Sequence, residues 1–175
     1  MFDLSPSTQT DSFKERNVLF PILSADFLTR PVSLGSAEQT DFSLLNQLAV
    51  QSDWVWNKQL VRSLLRNQHR TIVVTDPARV IQYVSSGFEK MTGYSSKFAV
   101  GKRPDFLQGT RTDMSMKQKL RTQFSAKETV KVDLVNYKKS GEEYICRVEI
   151  EPICDTSGEL KHFLAIEWDI TATAF

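Results

Sequence analysis

The sequence predicts an α+β fold: a five-stranded antiparallel sheet with short helices on one face, preceded by an N-terminal helical extension. Three observations carry this reading. The stretch Thr71-Ile72-Val73-Val74-Thr75 is dense in β-branched residues, as buried strands are. The stretch from Val130 to Tyr137 alternates apolar and polar residues, the pattern of a half-buried strand. Turn signals separate the later apolar runs at hairpin spacing, namely Lys139-Ser140-Gly141 and Asp155-Thr156-Ser157-Gly158.

Residues 1–40 are rich in Ser, Thr, Pro and Asp and read as an irregular arm. An apolar island at Val18-Leu19-Phe20-Pro21-Ile22-Leu23, followed by Phe27-Leu28, gives the arm something to dock with. Residues 41–69 read as helical. Phe42, Leu44, Leu45, Leu48 and Ala49 share one face, whereas Trp54, Leu60, Val61, Leu64 and Leu65 share another. That shift implies two helices or a kink, with Ser52 or Asp53 as the new N-cap. The open alternative is one helix buried on two sides.

Residues 70–171 form the core, and 172–175 a tail. After the strand at 71–75, Asp76-Pro77 marks a turn and Val80–Val84 a partner strand. Ser86–Met91 reads as a short helix closed by Gly93. Asp113 opens a longer helix to about Phe124, with Met116, Leu120 and Phe124 at four-residue spacing. Three strands follow, at 130–137, 144–153 and 160–170, in a meander.

Composition excludes several functions. The formal net charge is +1, and no basic patch suits nucleic acid. No apolar run approaches the roughly 20 residues of a membrane span, and the N-terminus lacks a secretion signal. The expectation is a soluble, cytoplasmic protein. Cys146 and Cys154 fall on one strand roughly 26 Å apart, too far for a disulfide within it. No Cys/His spacing suggests a metal, and His69 and His162 read as ordinary boundary and surface residues. No nucleophile–base arrangement or phosphate-cradling loop points to an enzyme.

Several segments resemble a known family. Thr75-Asp76-Pro77 is similar to the first turn of PAS sensor domains. Phe88-Glu89-Lys90-Met91-Thr92-Gly93-Tyr94 resembles their F-x-x-x-T-G-Y segment, and Asp169-Ile170-Thr171 their exit triplet. Asn136-Tyr137-Lys138-Lys139-Ser140-Gly141 resembles the N-Y-x-K-x-G hairpin of the light-oxygen-voltage (LOV) branch. Gly101-Lys102-Arg103-Pro104-Asp105-Phe106-Leu107-Gln108-Gly109 resembles that branch's flavin signature: Gly, any residue, Asn, Cys, Arg, Phe, Leu, Gln. The frame is kept at Gly101 and Phe106-Leu107-Gln108. Arg103 stands for the Asn, Pro104 for the photoreactive Cys and Asp105 for a phosphate-binding Arg.

The resemblance implies a PAS fold enclosing a ligand pocket, and it implies that the branch's light-driven bond from Cys sulfur to flavin does not form here. It also implies the candidate cofactor-binding residues. Gln108 and Asn136 match polar positions around the flavin ring, and Arg121 matches a second phosphate-binding Arg. Cys146 stands where a second Asn would meet the ring edge, and Glu167 where a Gln would. Each has a plainer reading: Gln108 as a helix cap, Asn136 as a hairpin residue, Arg121 as a solvated charge, Glu167 as an ion-pair partner of Arg103. With so few polar partners kept, the expectation is that no cofactor binds, with flavin mononucleotide (FMN) as the alternative. The pocket is expected to be small or filled by side chains, with Phe106, Leu107, Val132, Leu134, Val148, Ile150, Leu164 and Ile166 as lining and core residues.

The function expected is a non-catalytic regulatory module that senses a ligand or partner and signals through protein contacts. The alternative is a flavin photosensor or redox sensor without the cysteine chemistry. The chain would act on an effector protein in trans or be the sensor end of a longer protein. A homodimer through residues 41–69 is expected, because a helical cap with two apolar faces would leave one face in water.

Overall fold

The computed structural model describes residues 34–67, 69–113, 115, 116, 118, 122 and 128–173. The apolar island at 18–28 lies outside them. Helix α1 spans Ser36–Gln51 and α2 spans Lys58–Arg66. Strands β1 (Thr71–Thr75) and β2 (Ile81–Val84) follow, then α3 (Gly87–Thr92), α4 (Ser96–Ala99) and a 3-10 turn at Pro104–Leu107. Ser115, Met116, Gln118 and Thr122 are helical, in line with the helix expected after Asp113; Leu120 and Phe124 lie outside the described residues. Strands β3 (Val130–Tyr137), β4 (Glu143–Cys154) and β5 (Leu160–Asp169) complete one antiparallel sheet in the order β2-β1-β5-β4-β3.

The fold class is as the sequence indicates, with local differences. Helix α1 begins at Ser36, inside the stretch read as an irregular arm. The new helix is capped by Asn57, not by Ser52 or Asp53: the Asn57 side chain accepts from the N–H groups of Gln59 and Leu60. Asp53 instead takes φ 50°, a left-handed turn that lets Trp54 N–H donate back to Ala49. Strand β2 starts one residue late. The Asp76 turn holds Val80 through its N–H and its carbonyl, and Arg79 sits at φ 68°.

Alternation along the strands sorts the apolar residues onto two faces. Toward α3 and α4 lie Val73, Leu134, Val148, Ile150, Phe163 and Ala165, packed with Phe88, Ala99 and Leu107. On the opposite face Ile72, Val74, Ile153, Leu164 and Ile166 pack under the two N-terminal helices, against Phe42, Leu45, Trp54, Leu60, Leu64 and Leu65. The turn between α1 and α2 thus brings both predicted apolar faces onto the same sheet. The premise that one of them is left in water does not hold. Leu44 and Val50 remain exposed.

Two polar contacts fasten the cap. The buried Asp41 carboxylate accepts from Tyr83 O–H at 2.7 Å and from Ser86 N–H at 2.9 Å. Trp54 Nε1 donates to His162 Nδ1 at 2.9 Å, so His162 is buried and engaged rather than a plain surface residue.

Candidate functional site

Between the inner sheet face and the segment 103–109 lies a cavity of about 400 Å³. That volume is within the range of small-molecule sites and overturns the expectation of a filled pocket. Two features keep it open. Phe106, the largest side chain of the segment, packs edge-on against Tyr94 and Phe98 at 5.0 and 5.2 Å instead of entering the cavity. Strand β5 contributes Ala165 at the centre of the wall, where Leu164 and Ile166 had been expected. The register places Phe163, Ala165 and Glu167 inward and turns Leu164 and Ile166 outward. Of the expected lining, Leu107, Leu134, Val148 and Ile150 are present.

The segment 103–109 is held by its downstream neighbour. Thr112 Oγ1 accepts from Gly109 N–H at 2.9 Å and donates to the Val135 carbonyl on β3 at 2.6 Å. Arg111 N–H donates to Tyr137 O–H, and the Arg111 guanidinium pairs with Glu143. Gly109 lies so close to the Tyr137 ring that a Cβ there would overlap it. This glycine is required by close approach.

Three of the five predicted site residues line the cavity: Gln108, Asn136 and Glu167. Gln108 also closes the 3-10 turn through its backbone N–H, so its plainer reading holds alongside. Cys146 does not line the cavity. It faces the same side of the sheet but is fully buried beside Leu134 and Asp169, beyond the end of the pocket. Arg121 lies outside the described residues. Glu167 makes no ion pair with Arg103.

The inner end of the cavity is polar and unsatisfied. Asn136 Oδ1 and Glu167 Oε2 are buried without a hydrogen-bond partner, as is the nearby Tyr144 hydroxyl on β4. Such orphans are costly unless something else meets them. Burial lifts the Glu167 carboxyl from 4.5 to about 7, so it is poised between its neutral and charged forms near neutrality. Burial also raises the Cys146 thiol, and the neighbouring Glu167 and Asp169 carboxylates raise it further, which keeps it protonated and inert.

The outer end carries the charges. Arg103 and Asp105 are exposed and Arg79 is half-buried; all three line the cavity, as does Pro104. Sequence reasoning missed Arg79, Phe163 and Ala165. The last two follow from register, which no local pattern in β5 discloses because both of its faces are buried. Arg79 follows from a turn conformation that its residue type disfavours.

Comparison with known proteins places the chain in a family. A family model for the PAS domain matches residues 69–172. A blue-light photoreceptor of Listeria innocua is 38% identical over 103 residues, 57% of this chain and 40% of that protein. A blue-light-activated histidine kinase of Brucella anthropi is 36% identical over 95 residues, 54% of this chain and 19% of that protein. The chain thus spans less than half the length of these relatives. Among solved structures, a light-oxygen-voltage domain studied with a flavin analogue superposes with a TM-score of 0.60 at 29% identity, covering 65% of this chain and 86% of that one. The LOV domain of the Erythrobacter litoralis EL346 blue-light activated histidine kinase does so at 0.55 and 29%, covering 58% and 95%.

Proposed function

This chain belongs to the PAS domain family, and from that premise we propose that it is a sensory module whose cavity takes a flavin and that it signals without a cysteine–flavin bond. This reading reverses the expectation that no cofactor binds. The observation that carries it is the pair of buried, unpartnered atoms Asn136 Oδ1 and Glu167 Oε2 at the inner end of a cavity whose middle is walled by apolar side chains. A flat heterocycle with a polar edge satisfies both and leaves its apolar faces to Leu134, Val148 and Ile150. The relatives named as blue-light receptors support the same ligand class.

A bound flavin would supply blue-light absorption and redox chemistry. The chain's own residues bind and orient it. Asn136 Oδ1 accepts from a ring N–H. Gln108 offers an amide from the opposite wall. Glu167 holds a proton that it can donate to a ring acceptor. Pro104 lines the cavity where the LOV signature has its thiol, and Cys146 lies outside the lining with its thiol protonated. A reversible Cys–flavin bond therefore has no nucleophile in place. The module is non-catalytic in this reading and passes its state to an effector, in trans or in a longer chain.

The test is to purify the chain with added FMN and illuminate it with blue light. Co-purifying flavin absorbance is the expected result, with visible bleaching only when an electron donor is supplied and recovery in air. Failure to retain any flavin overturns the cofactor assignment. A donor-independent, reversible near-ultraviolet species overturns the absence of thiol chemistry.

A further inference from the structure

The chain just before the cavity wall presents an apolar surface to water. Among the described residues the exposed large apolar side chains are Leu44, Val50, Phe98 and Val100. Phe98 lies on α4 and Val100 closes it, with Phe98 39% exposed and Val100 45%. Their backbone is firmly held. The Ser95 side chain caps α4 by accepting from Phe98 N–H, and Ala99 is fully buried. Gly101 N–H donates to the Ile81 carbonyl and Ile81 N–H to the Lys102 carbonyl, both at 2.8 Å, which fastens the turn to the edge of β2. The Phe98 ring stacks on Tyr94 at 4.8 Å and meets Phe106 edge-on. A surface fixed in this way loses little freedom when something binds to it.

The same surface is basic. From Lys90 to Arg103 the chain carries four basic residues, Lys90, Lys97, Lys102 and Arg103, and no acidic one, whereas the whole protein has a net charge of +1. All four are exposed, and none forms an ion pair among the described residues. On the three-strand meander, by contrast, Lys131, Lys138, Arg147 and Lys161 each meet a carboxylate. Lys102 is poised beside the apolar patch. Its Nζ lies 3.3 Å above the Phe98 ring and donates to the Phe98 carbonyl at 2.9 Å, which leaves donors free for a further acceptor. Glu89 and Asp105 flank the run without interrupting it.

We propose that the α4 surface, with Phe98 and Val100 among Lys97, Lys102 and Arg103, is a docking site for an acidic protein segment that carries an apolar side chain between its carboxylates. Charge complementarity selects the acidic partner, and the two exposed apolar side chains select one with an anchor to bury. A nucleic acid suits the surface less, because its phosphates meet the cations and leave Val100 without a partner. A lipid surface suits it less as well, because Phe98 is stacked on Tyr94 at 21° and does not project for insertion. The inference goes beyond the flavin reading and does not depend on it.

The test titrates the full chain into dye-labelled poly-Glu, a dye-labelled random copolymer of Glu and Tyr, and a short labelled DNA duplex, followed by fluorescence anisotropy. Co-sedimentation with phosphatidylserine vesicles covers the lipid alternative. The copolymer binds about threefold or more tighter than poly-Glu, and both weaken with added salt. Lys97→Gln/Lys102→Gln weakens the copolymer about fivefold or more. Lys131→Gln/Arg147→Gln, which removes the same charge from the meander, leaves copolymer binding as it is. Val100→Ser abolishes the preference for the copolymer over poly-Glu, and because it changes an exposed side chain its melting temperature stays that of the wild type. No binding of the copolymer, equal affinity for copolymer and poly-Glu, or tighter binding of DNA or vesicles overturns the proposal. So does an equal loss in the two charge variants, which would show general attraction to a cation-bearing protein rather than a site.

Discussion

Replacing Glu167 by Gln separates the cost of burying a carboxylate from the shape of the site. Glu167 is buried on the inner sheet face, and its pKa rises from 4.5 to about 7 because the charged form is desolvated there. At 1.36 kcal/mol per pH unit, that displacement corresponds to about 3 kcal/mol between the two protonation states. The sign follows from proton counting. Below about pH 4.5 the carboxyl is neutral folded and unfolded, and the penalty is absent. Between that point and about 7 the unfolded chain gives up its proton while the folded chain keeps it, so stability falls as pH rises. Above about 7 the full penalty stands. Other groups near Glu167 are Tyr144 and Cys146 on β4, both raised by burial and neutral across this window, and Asp169 further along β5. Glu167→Gln removes the titration with little change of volume. In the ligand-free chain the variant therefore matches the wild type near pH 4 and exceeds it by about 3 kcal/mol near pH 8.5, roughly 6–12 °C in melting temperature. Urea unfolding at a series of pH values reads this directly. Two parallel stability curves, or a variant that gains stability at low pH, would refute the assignment of the buried charge.

Two further outcomes follow from the packing. Gly109→Ala drives a methyl into the Tyr137 ring and so loosens the segment that walls the cavity; a loss of about 1–3 kcal/mol and weaker flavin retention are expected, measured by thermal unfolding and by flavin content, and an unchanged variant would show that the ring moves freely. Self-association through residues 41–69 remains our proposal, now on a smaller patch that includes Leu44 and Val50, and sedimentation at micromolar concentration of the chain and of Leu44→Glu/Val50→Glu tests it: a clean wild-type monomer refutes the dimer. Leu64→Ala, by contrast, hollows the interface between cap and sheet and costs about 2–5 kcal/mol whatever the oligomeric state.

The sheet was legible in the sequence because its strands announce themselves locally. Thr71–Thr75 and Val130–Tyr137 fall where β-branching and alternation put them, and Gly93 closes α3 in the left-handed conformation that its residue type favours. What was not legible depends on distant partners. The cap was read as having one face to spare because the periodicity of residues 41–69 cannot show that a left-handed Asp53 and an Asn57 cap fold the second helix back onto the same sheet. The cavity was read as filled because hydrophobic content says nothing about where a side chain points. Phe106 leaves for an aromatic cluster, and β5, buried on both faces, gives no sign of which residues turn inward. Asn136 and Glu167 were found through resemblance and line the cavity; Cys146, found the same way, is not part of its lining.

Strand order has a consequence for how the molecule comes into being. The last of the five strands to be synthesised, β5, lies at the centre of the sheet, between β1 and β4. Until Leu164 and Ile166 arrive, the surface under α1 and α2 is split between the narrow β1–β2 hairpin, which has an open edge, and Ile153 of β4, which only β5 joins to it. Closing the sheet means joining Thr71 to Glu167 across nearly the whole core, an entropic cost met late in folding. During translation the nascent chain therefore carries a sticky, half-clothed surface, the kind of intermediate on which chaperones act. Two residues that secure the finished wall of the cavity, Ala165 and Glu167, belong to the strand that ends this vulnerable interval.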